Sequence, residues 1–336
     1  MKKIRIIIAA LLTALLSSCG NAEQNEASRE LFAMDTLVSV KAYGTESEQA
    51  VNAAADRITE LEKLLSVTDE TSDIFRLNSS GSAIVSEETA ELTADALSLC
   101  RLTGGALDIS LYPVLREWGF TTDEKHVPTD EEIEAALAKT GYEKIIIEGD
   151  RISLPEGHMI DLGSCAKGRA GDEMIAAVSE VGVTSAIINL GGNVQTLGSK
   201  PDGSEWSVGI ANPFSPNELL GIVRVRDKAV VTSGGYQRYF TDDDGNVYIH
   251  ILDPDTGRPA DSGLASVTVI GDCGMTCDGL STALFVMGKD KAVRFRRENG
   301  GFDMVLVDNS GTVFITPDIA GSFVNSSGAP VEIIYE

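Results

Sequence analysis

The stretch His250-Ile-Leu-Asp-Pro-Asp-Thr-Gly-Arg-Pro259, with Asp278-Gly-Leu-Ser-Thr282 some twenty residues further on, decides how this chain is interpreted. These two stretches place an imidazole, carboxylates and hydroxyls where the sequence otherwise predicts a buried strand and a buried helix. Burying such groups without partners costs free energy, so a metal, a phosphate or an internal hydrogen-bond network should satisfy them.

The two stretches favour different interpretations. Asp, Pro and Gly at the offsets of 253–257 also form an ordinary turn, and for this segment we favour the turn over a binding site. Met275–Met287 instead predicts a single helix with an apolar core face. A carboxylate at Asp278, inside that run, needs a cation or several hydrogen-bond donors, so here we favour a functional role.

The N-terminus predicts export and lipid anchoring. Three basic residues precede the apolar run 6–16, which is too short to span a bilayer but suits a signal peptide. Leu16-Ser-Ser-Cys19-Gly resembles a bacterial lipoprotein box, in which the cysteine is acylated and becomes the first mature residue. We predict a signal peptide at 1–18, a lipidated tether at 19–30 and a folded domain at 31–336. The alternative is a plain secretory signal with an incidental cysteine.

The amino-acid composition and net charge restrict the classes of partner that the protein can bind. The 336 residues carry a formal net charge of −24. Removal of the signal peptide would take away its three basic residues and make the net charge more negative. So acidic a surface argues against nucleic acid and anionic lipid headgroups as partners. An anionic ligand would need a cation, backbone amides or a helix N-terminus. The remaining cysteines lack C-x-x-C spacing, and we expect buried free thiols at Cys100, Cys165, Cys273 and Cys277.

Hairpin signals outnumber strand-helix-strand repeats along the chain. Gly149-Asp150 and Asp242–Asn246 each separate two short strand-like runs, and 104–120 is predicted as an apolar loop carrying Asp108. This pattern predicts an α+β domain with largely antiparallel sheets and flanking helices, rather than a doubly wound fold. Helices are predicted at 47–65, 87–102, 130–139, 166–181, 275–287 and 289–298, and strands include 36–43, 184–190, 206–210, 229–232 and 266–270.

Three glycine-bearing turns are candidate ligand contacts. Ile160–Ala170 passes from strand to helix, so its amides and Lys167 can face a phosphate near a helix N-terminus. Asn189–Asn193 and Thr232–Tyr236 end strands at sharp turns, where a flat ligand can approach the backbone closely. The sequence lacks G-x-S-x-G, H-E-x-x-H and a post-strand G-x-G-x-x-G, so hydrolysis by a nucleophilic serine is unsupported.

The order and spacing of seven motifs resemble the ApbE-type FAD:protein FMN transferases, from near residue 31 to past 290. The motifs are Met34-Asp-Thr36, Gly104–Ser110, Ile160–Gly168, Asn189–Asn193, Thr232-Ser-Gly234 with Arg238-Tyr-Phe240, His250–Gly257 and Asp278–Gly288. The resemblance implies two fused lobes with flavin between them. It also implies Mg²⁺-dependent transfer of the FMN half of FAD to a Thr or Ser hydroxyl of an exported target protein, with release of AMP.

The resemblance assigns roles position by position. It implies Mg²⁺ ligation by Asp278, Thr282 and the Ser164 carbonyl, with Ser281 as a further candidate, and it places His250 where a histidine takes part in the transfer. The residues implied to contact FAD are Met34, Ala106, Leu107, Asp108, Asp161, Lys167 and Leu252. The chain departs from the family pattern at Asp35, usually glycine, at Thr68, often aromatic, and at Gly235, commonly acidic.

FAD and the target protein follow from this resemblance, whereas the lipid anchor and the location follow from the lipoprotein box at Cys19. The expected partners are FAD, an exported or membrane target such as a flavoprotein subunit of a redox complex, and the lipid bilayer through palmitate on Cys19. The domain is expected on the non-cytoplasmic side of a bacterial membrane. Two other functions stay open: hydrolysis of FAD to FMN and AMP, with water replacing the target hydroxyl, and flavin binding without catalysis.

Overall fold

The computed structural model describes residues 25–122 and 124–335. The predicted signal peptide and Cys19 lie outside these residues. Within them the helices are α1 (Ser47–Leu65), α2 (Asp73–Ser80), α3 (Glu87–Leu102), α4 (Tyr112–Glu117), α5 (Asp130–Leu137), α6 (Gly163–Glu180), α7 (Gly274–Met287) and α8 (Lys289–Asn299), with 3-10 turns at Tyr142–Lys144 and Pro317–Ile319. None of these described helices combines the length and apolar character needed to cross a bilayer.

Seventeen strands occur in the same residues. They are β1 (Glu26–Ala33), β2 (Thr36–Tyr43), β3 (Ser82–Ile84), β4 (Ile146–Glu148), β5 (Arg151–Ser153), β6 (Ala186–Leu190), β7 (Asn193–Leu197), β8 (Trp206–Asn212), β9 (Ser215–Val225), β10 (Ala229–Gly234), β11 (Tyr239–Thr241), β12 (Val247–Ile249), β13 (Leu264–Gly271), β14 (Phe302–Asp308), β15 (Val313–Ile315), β16 (Phe323–Asn325) and β17 (Val331–Ile333).

A nine-stranded sheet organises the molecule, in the order β1-β2-β6-β7-β10-β13-β14-β15-β17. Every neighbouring pair in it is antiparallel except β15 and β17. The predicted α+β class with largely antiparallel sheets is therefore confirmed. Two- and three-stranded sheets complete the fold: β11-β12, β16-β9-β8 and β3-β5-β4.

Strand alternation places core on both faces of the large sheet. In β10, Val231 packs with α7 and α8 on one face, whereas Val230 packs against β8 and β9 on the other. Successive strand side chains point to opposite faces, so a run of valines serves both layers. A further cluster, around Val38 and Ile58, joins α1 and α6 to the β2 end of the same sheet.

The predicted tether is wrong over residues 26–30. These residues belong to β1, which pairs along its whole length with β2, from Glu26 opposite Tyr43 to Ala33 opposite Thr36. The strand forms the edge of the sheet and most of its side chains face solvent, so it has no apolar alternation to reveal it. Its pairing with β2, together with the packing of Ala27, Leu31 and Ala33 against the core around α1, holds it in the sheet.

Other differences are local. Helix α6 begins at Gly163, three residues before the predicted start, and the predicted loop 104–120 contains α4. Helix α4 is short and has a proline in its first turn, which weakens its periodic signal. Among the predicted buried thiols, Cys273 is exposed, because it precedes the first turn of α7 at the surface.

Candidate active site

A cavity of about 1100 Å³ opens where the β1-β2 turn, the N-terminus of α6 and one face of α7 meet. Pockets for ordinary small ligands measure roughly 300–1,000 Å³, so this one is large enough for a dinucleotide. Its lining includes eleven of the twelve predicted ligand, metal and catalytic residues: Met34, Ala106, Leu107, Asp108, Asp161, Ser164, Lys167, His250, Leu252, Asp278 and Thr282.

Ser281 is the predicted residue that does not line the cavity. Its hydroxyl is fully buried, donates to the Asp278 carbonyl at 2.8 Å and pairs with the Ser233 hydroxyl at 2.7 Å. Both hydrogen bonds hold it behind the cavity wall. Ser233 itself lines the cavity and also lies 3.3 Å from the Thr282 hydroxyl.

Asp278 presents a buried carboxylate to the cavity. It is 4% exposed, accepts a hydrogen bond from the Gly168 amide at 2.8 Å and lies 4.0 Å from the Lys167 ammonium. Burial raises the pKa of this carboxyl, against the lowering effects of Lys167 and of the Gly168 amide. Thr282 follows one helical turn later on the same face of α7, so a hydroxyl stands beside the carboxylate.

A close crossing of α6 and α7 creates this arrangement. A Cβ at Gly168 would lie 2.2 Å from the Gly274 carbonyl oxygen, so a side chain at 168 would force the helices apart. Asp172 of α6 accepts hydrogen bonds from the Gly274 and Met275 amides at 2.7 and 2.9 Å. A carboxylate at this helix N-terminus satisfies free amides and fixes the position of α7.

The α6 N-terminus carries the predicted phosphate contacts. Asp161 accepts from the Gly163 amide at 2.8 Å, and burial raises the pKa of its carboxyl. Lys167 donates to the Gly163 carbonyl at 3.1 Å and is about one-third exposed, with its ammonium at the cavity wall. A helix N-terminus with a nearby ammonium is suited to bind an anion.

His250 has a defined proton arrangement. Its Nδ1 lies 3.1 Å from the Arg238 carbonyl oxygen, which can only accept, so Nδ1 carries the hydrogen and Nε2 the lone pair. Burial is the main cause that lowers the His250 pKa to about 4, so the ring is neutral near pH 7. The ring contacts Phe120 edge-on, with centroids 6.4 Å apart.

A cluster of aromatic rings packs behind His250 and contacts it through Phe120. Trp118, Phe120, Phe240 and Tyr248 contact one another with centroids 5.2 to 6.4 Å apart. The Trp118 indole donates to the Gly257 carbonyl at 2.8 Å. This hydrogen bond ties the cluster to the turn at 253–257, whose internal hydrogen bonds agree with the turn interpretation.

The turn between β1 and β2 forms one lip of the cavity. Met34 and Asp35 both have positive φ, 49° and 56°, as a tight hairpin turn of this type requires. Asp35 therefore occupies a conformation that suits glycine, although Asp tolerates it better than most residues. The Met34 amide donates to Glu62 at 2.6 Å, and Asp35 lies 3.7 Å from the Arg238 guanidinium.

Glu62 lines the cavity, although no sequence pattern marks it as a site candidate. Asn193 and Arg238 also line it; they lie within predicted motifs, but the sequence assigns neither of them a role of its own. Asn193 is 2% exposed, and neither of its amide atoms has a hydrogen-bond partner among the described residues. Asn193 ends the Asn189–Asn193 turn, which is itself a predicted ligand contact, and this position is the sequence signal that could have identified it as a site residue. Thr68, in place of an aromatic residue, lines the cavity with a hydroxyl that pairs with Ser66 at 3.2 Å.

Comparison with known proteins identifies the family. The ApbE family model matches residues 34–306. This chain belongs to the ApbE family. The FAD:protein FMN transferase of Vibrio cholerae is 34% identical over 312 residues, which span 89% of this chain and 92% of that protein. The enzyme of the same name from Salmonella typhimurium is 32% identical and spans 83% of both chains. The predicted resemblance is therefore confirmed, as is the prediction of an enzyme.

Solved ApbE structures share the fold. The ApbE protein of Thermotoga maritima superposes with a TM-score of 0.84 at 33% identity, covering 89% of this chain and 99% of that one. The apo form of the Pseudomonas stutzeri flavinyl transferase ApbE gives a TM-score of 0.80 at 31% identity and covers 97% of that chain.

Proposed function

We propose that this chain is a FAD:protein FMN transferase that moves FMN from FAD to a Thr or Ser hydroxyl of an exported protein and releases AMP. One observation carries the proposal: a single dinucleotide-sized cavity is lined by the buried Asp278, the Lys167 ammonium and the neutral His250. The attacking hydroxyl oxygen bonds to the FMN phosphorus, and the bond from that phosphorus to the AMP oxygen breaks. In such phosphoryl transfers, positioning and charge neutralisation supply most of the catalysis.

His250 would accept the proton of the attacking hydroxyl. Its Nδ1 hydrogen is held by the Arg238 carbonyl, which leaves Nε2 as the acceptor. With a pKa near 4, the ring is in the acceptor form at neutral pH. Positioned bases of this kind contribute about 10²–10⁴-fold to rate.

The residues at the α6-α7 crossing fit a divalent cation. Asp278 is a buried carboxylate facing the cavity, Thr282 adds a hydroxyl one turn away, and Ser164 offers a carbonyl from the first turn of α6. Hard cations such as Mg²⁺ prefer these oxygen donors and use few carboxylates when phosphates complete the coordination. When bound, Mg²⁺ would neutralise pyrophosphate charge. Lys167 and the α6 N-terminus would hold the same pyrophosphate and steady the charge that develops on AMP.

Lipid anchoring at Cys19 is part of the proposal. Glu26, where β1 begins, is seven residues beyond Cys19. An extended chain of seven residues reaches about 25 Å, so the domain would be held close to the membrane. The target would then be an exported or membrane protein on the non-cytoplasmic side.

One incubation separates the candidate functions. The protein without its leader is mixed with FAD, Mg²⁺ and a purified exported flavoprotein subunit in its flavin-free form. Covalent fluorescence on the subunit, with one AMP per FMN transferred, supports the transferase. Free FMN and AMP with an unlabelled subunit would indicate a pyrophosphatase, and unchanged FAD would indicate flavin binding alone. EDTA should abolish the transfer if the cation is required.

A further inference from the structure

Asn193 is a buried amide at the cavity wall that lacks a hydrogen-bond partner. It is the first residue of β7, is 2% exposed and lines the same cavity as Asp278 and Thr282. Neither its side-chain oxygen nor its side-chain nitrogen has a partner among the described residues. A buried amide left unpaired costs free energy, so a group that enters the cavity should satisfy it.

Helix α7 crosses the large sheet over the strand that carries Asn193. At its first residue, a Cβ at Gly274 would overlap Nε2 of Gln195, so the start of α7 rests on β7. Two turns later, the Thr282 hydroxyl lies 3.3 Å from the Ser233 hydroxyl, so this part of α7 rests on β10. The helix therefore passes from β7 to β10, which are neighbouring strands of the sheet.

Asp278 lies midway between these two contacts, four residues from each, and on the same face of α7. In the sheet below, Gln195 and Ser233 lie on either side of the register pair formed by Asn193 and Val231. Side chains two residues apart on a strand, and those directly opposite on paired strands, share a face. Asn193 and Asp278 are therefore expected to face the same part of the cavity, one from the sheet and one from α7.

The two side chains face this part of the cavity without bonding to each other. Oδ2 of Asp278 accepts from the Gly168 amide at 2.8 Å, whereas the Asn193 amide has no partner in the described chain. A magnesium ion bound at about 2.1 Å from each of two oxygens holds those oxygens roughly 3–4 Å apart. A carboxylate and an amide arranged in this way are suited to share a cation.

We propose that Asn193 is an additional ligand of the divalent cation, through its side-chain oxygen, beside Asp278 and Thr282. This inference rests on the proposed function for the requirement of a cation. An amide oxygen adds a ligand without adding negative charge, so the cation keeps its attraction for the pyrophosphate. The amide nitrogen of Asn193 can only donate, and it is left to bind a phosphate oxygen.

The test separates cation binding from direct contact with FAD. FAD affinity is measured by titration, once with saturating Mg²⁺ and once with EDTA, and the ratio of the two affinities is compared between variants. Mn²⁺ replaces Mg²⁺ for direct titration by electron paramagnetic resonance. The variants are Asn193→Leu, Asn193→Ala, Asn193→Asp, Asp278→Asn and the double variant Asn193→Leu with Asp278→Asn. Thr68→Val is the matched control, because it removes an uncharged polar group from the part of the cavity wall that follows α1.

Loss of the amide should weaken cation binding. Asn193→Leu and Asn193→Ala should each lower the Mn²⁺ affinity, and the Mg²⁺-to-EDTA ratio of FAD affinity, at least about tenfold. Asn193→Asp keeps an oxygen ligand and should retain both quantities. The double variant should lose no more than Asp278→Asn alone, because the two residues hold the same cation. Thr68→Val should leave the ratio unchanged.

Three results would overturn the inference. A loss of FAD affinity by the same factor with Mg²⁺ and with EDTA would show that Asn193 contacts FAD directly. An unchanged ratio in both loss-of-amide variants, or additive losses in the double variant, would also exclude a shared cation. Cation binding that depends on Asn193, without FMN labelling of a flavin-free target protein, would instead refute the proposed function and leave the cation ligand standing.

Discussion

The buried carboxylate at the helix crossing yields the sharpest prediction. Asp278→Asn keeps the shape of the side chain and an oxygen that can accept from the Gly168 amide at 2.8 Å, but it removes a charge that is 4% exposed. Lys167, at 4.0 Å and one-third exposed, compensates that charge only partly. Because the substitution removes a buried charge, the free energy of unfolding of the ligand-free protein should stay unchanged or rise by about 1–3 kcal/mol.

The same substitution should remove cation-dependent activity. At about 100 times its dissociation constant, a ligand stabilises the folded state by about 2.7 kcal/mol, or roughly 5 °C in a chain of this size. Wild type should show this rise in melting temperature when Mg²⁺ is added with FAD, whereas the Asn variant should not. FMN transfer by the variant should fall by about 10²–10³-fold, the loss typical for an electrostatic group at a reacting centre. A variant that melts several degrees lower yet still transfers FMN in a Mg²⁺-dependent way would refute this reasoning.

Four further predictions follow from single positions. His250→Gln should lower the transfer rate about 10²–10⁴-fold, with the melting temperature little changed. Because the His250 pKa is about 4, wild-type kcat/KM should stay flat down to about pH 5.5 and fall toward pH 4. A fall centred near the unperturbed value of about 6.5 would contradict this. Asn193→Leu removes two unpartnered amide atoms, so calorimetry should show unchanged or higher stability. If the Asn193 amide binds FAD, titration should show FAD affinity weakened about tenfold. Lost stability with normal FAD affinity would argue against a role of Asn193 in FAD binding. Gly168→Ala should destabilise the fold by about 1–3 kcal/mol in denaturant unfolding, because its Cβ would meet the Gly274 carbonyl, and an unchanged midpoint would count against the close crossing. Cys19→Ser should abolish palmitate labelling and move the protein out of the membrane fraction, whereas continued labelling would rule out that cysteine as the anchor.

Local periodicity in the sequence was sufficient to predict several elements to the residue. Helix α1 at 47–65 and strand β2 at 36–43 have the predicted bounds, because each buries one regular face against the core. The apolar helix around Asp278 also matched within one residue at its start. The motif resemblance predicted eleven residues that line the cavity, because the motifs keep the family's order and spacing along the chain.

Elements without a periodic apolar face escaped sequence reasoning. Strand β1 lies at an edge and exposes most of its side chains, so its pairing with β2 and its few contacts with the core decide that it is a strand. Helix α6 starts at Gly163, and its first amide is satisfied by Asp161, a contact that depends on the backbone conformation reached in the folded state.

The sequence by itself determined the α+β class, the family and eleven of the twelve candidate site residues that meet at the cavity, since these depend on local pattern and on motif order. The tertiary structure decided how those residues act. The Asp278 carboxylate meets an amide 110 residues earlier in the chain, and the Arg238 carbonyl and burial together set the His250 tautomer and lower its pKa. Tertiary packing also left the Asn193 amide without partners. Such properties arise from burial and from contacts between distant segments, which exist only once the α6-α7 crossing and the large sheet have formed.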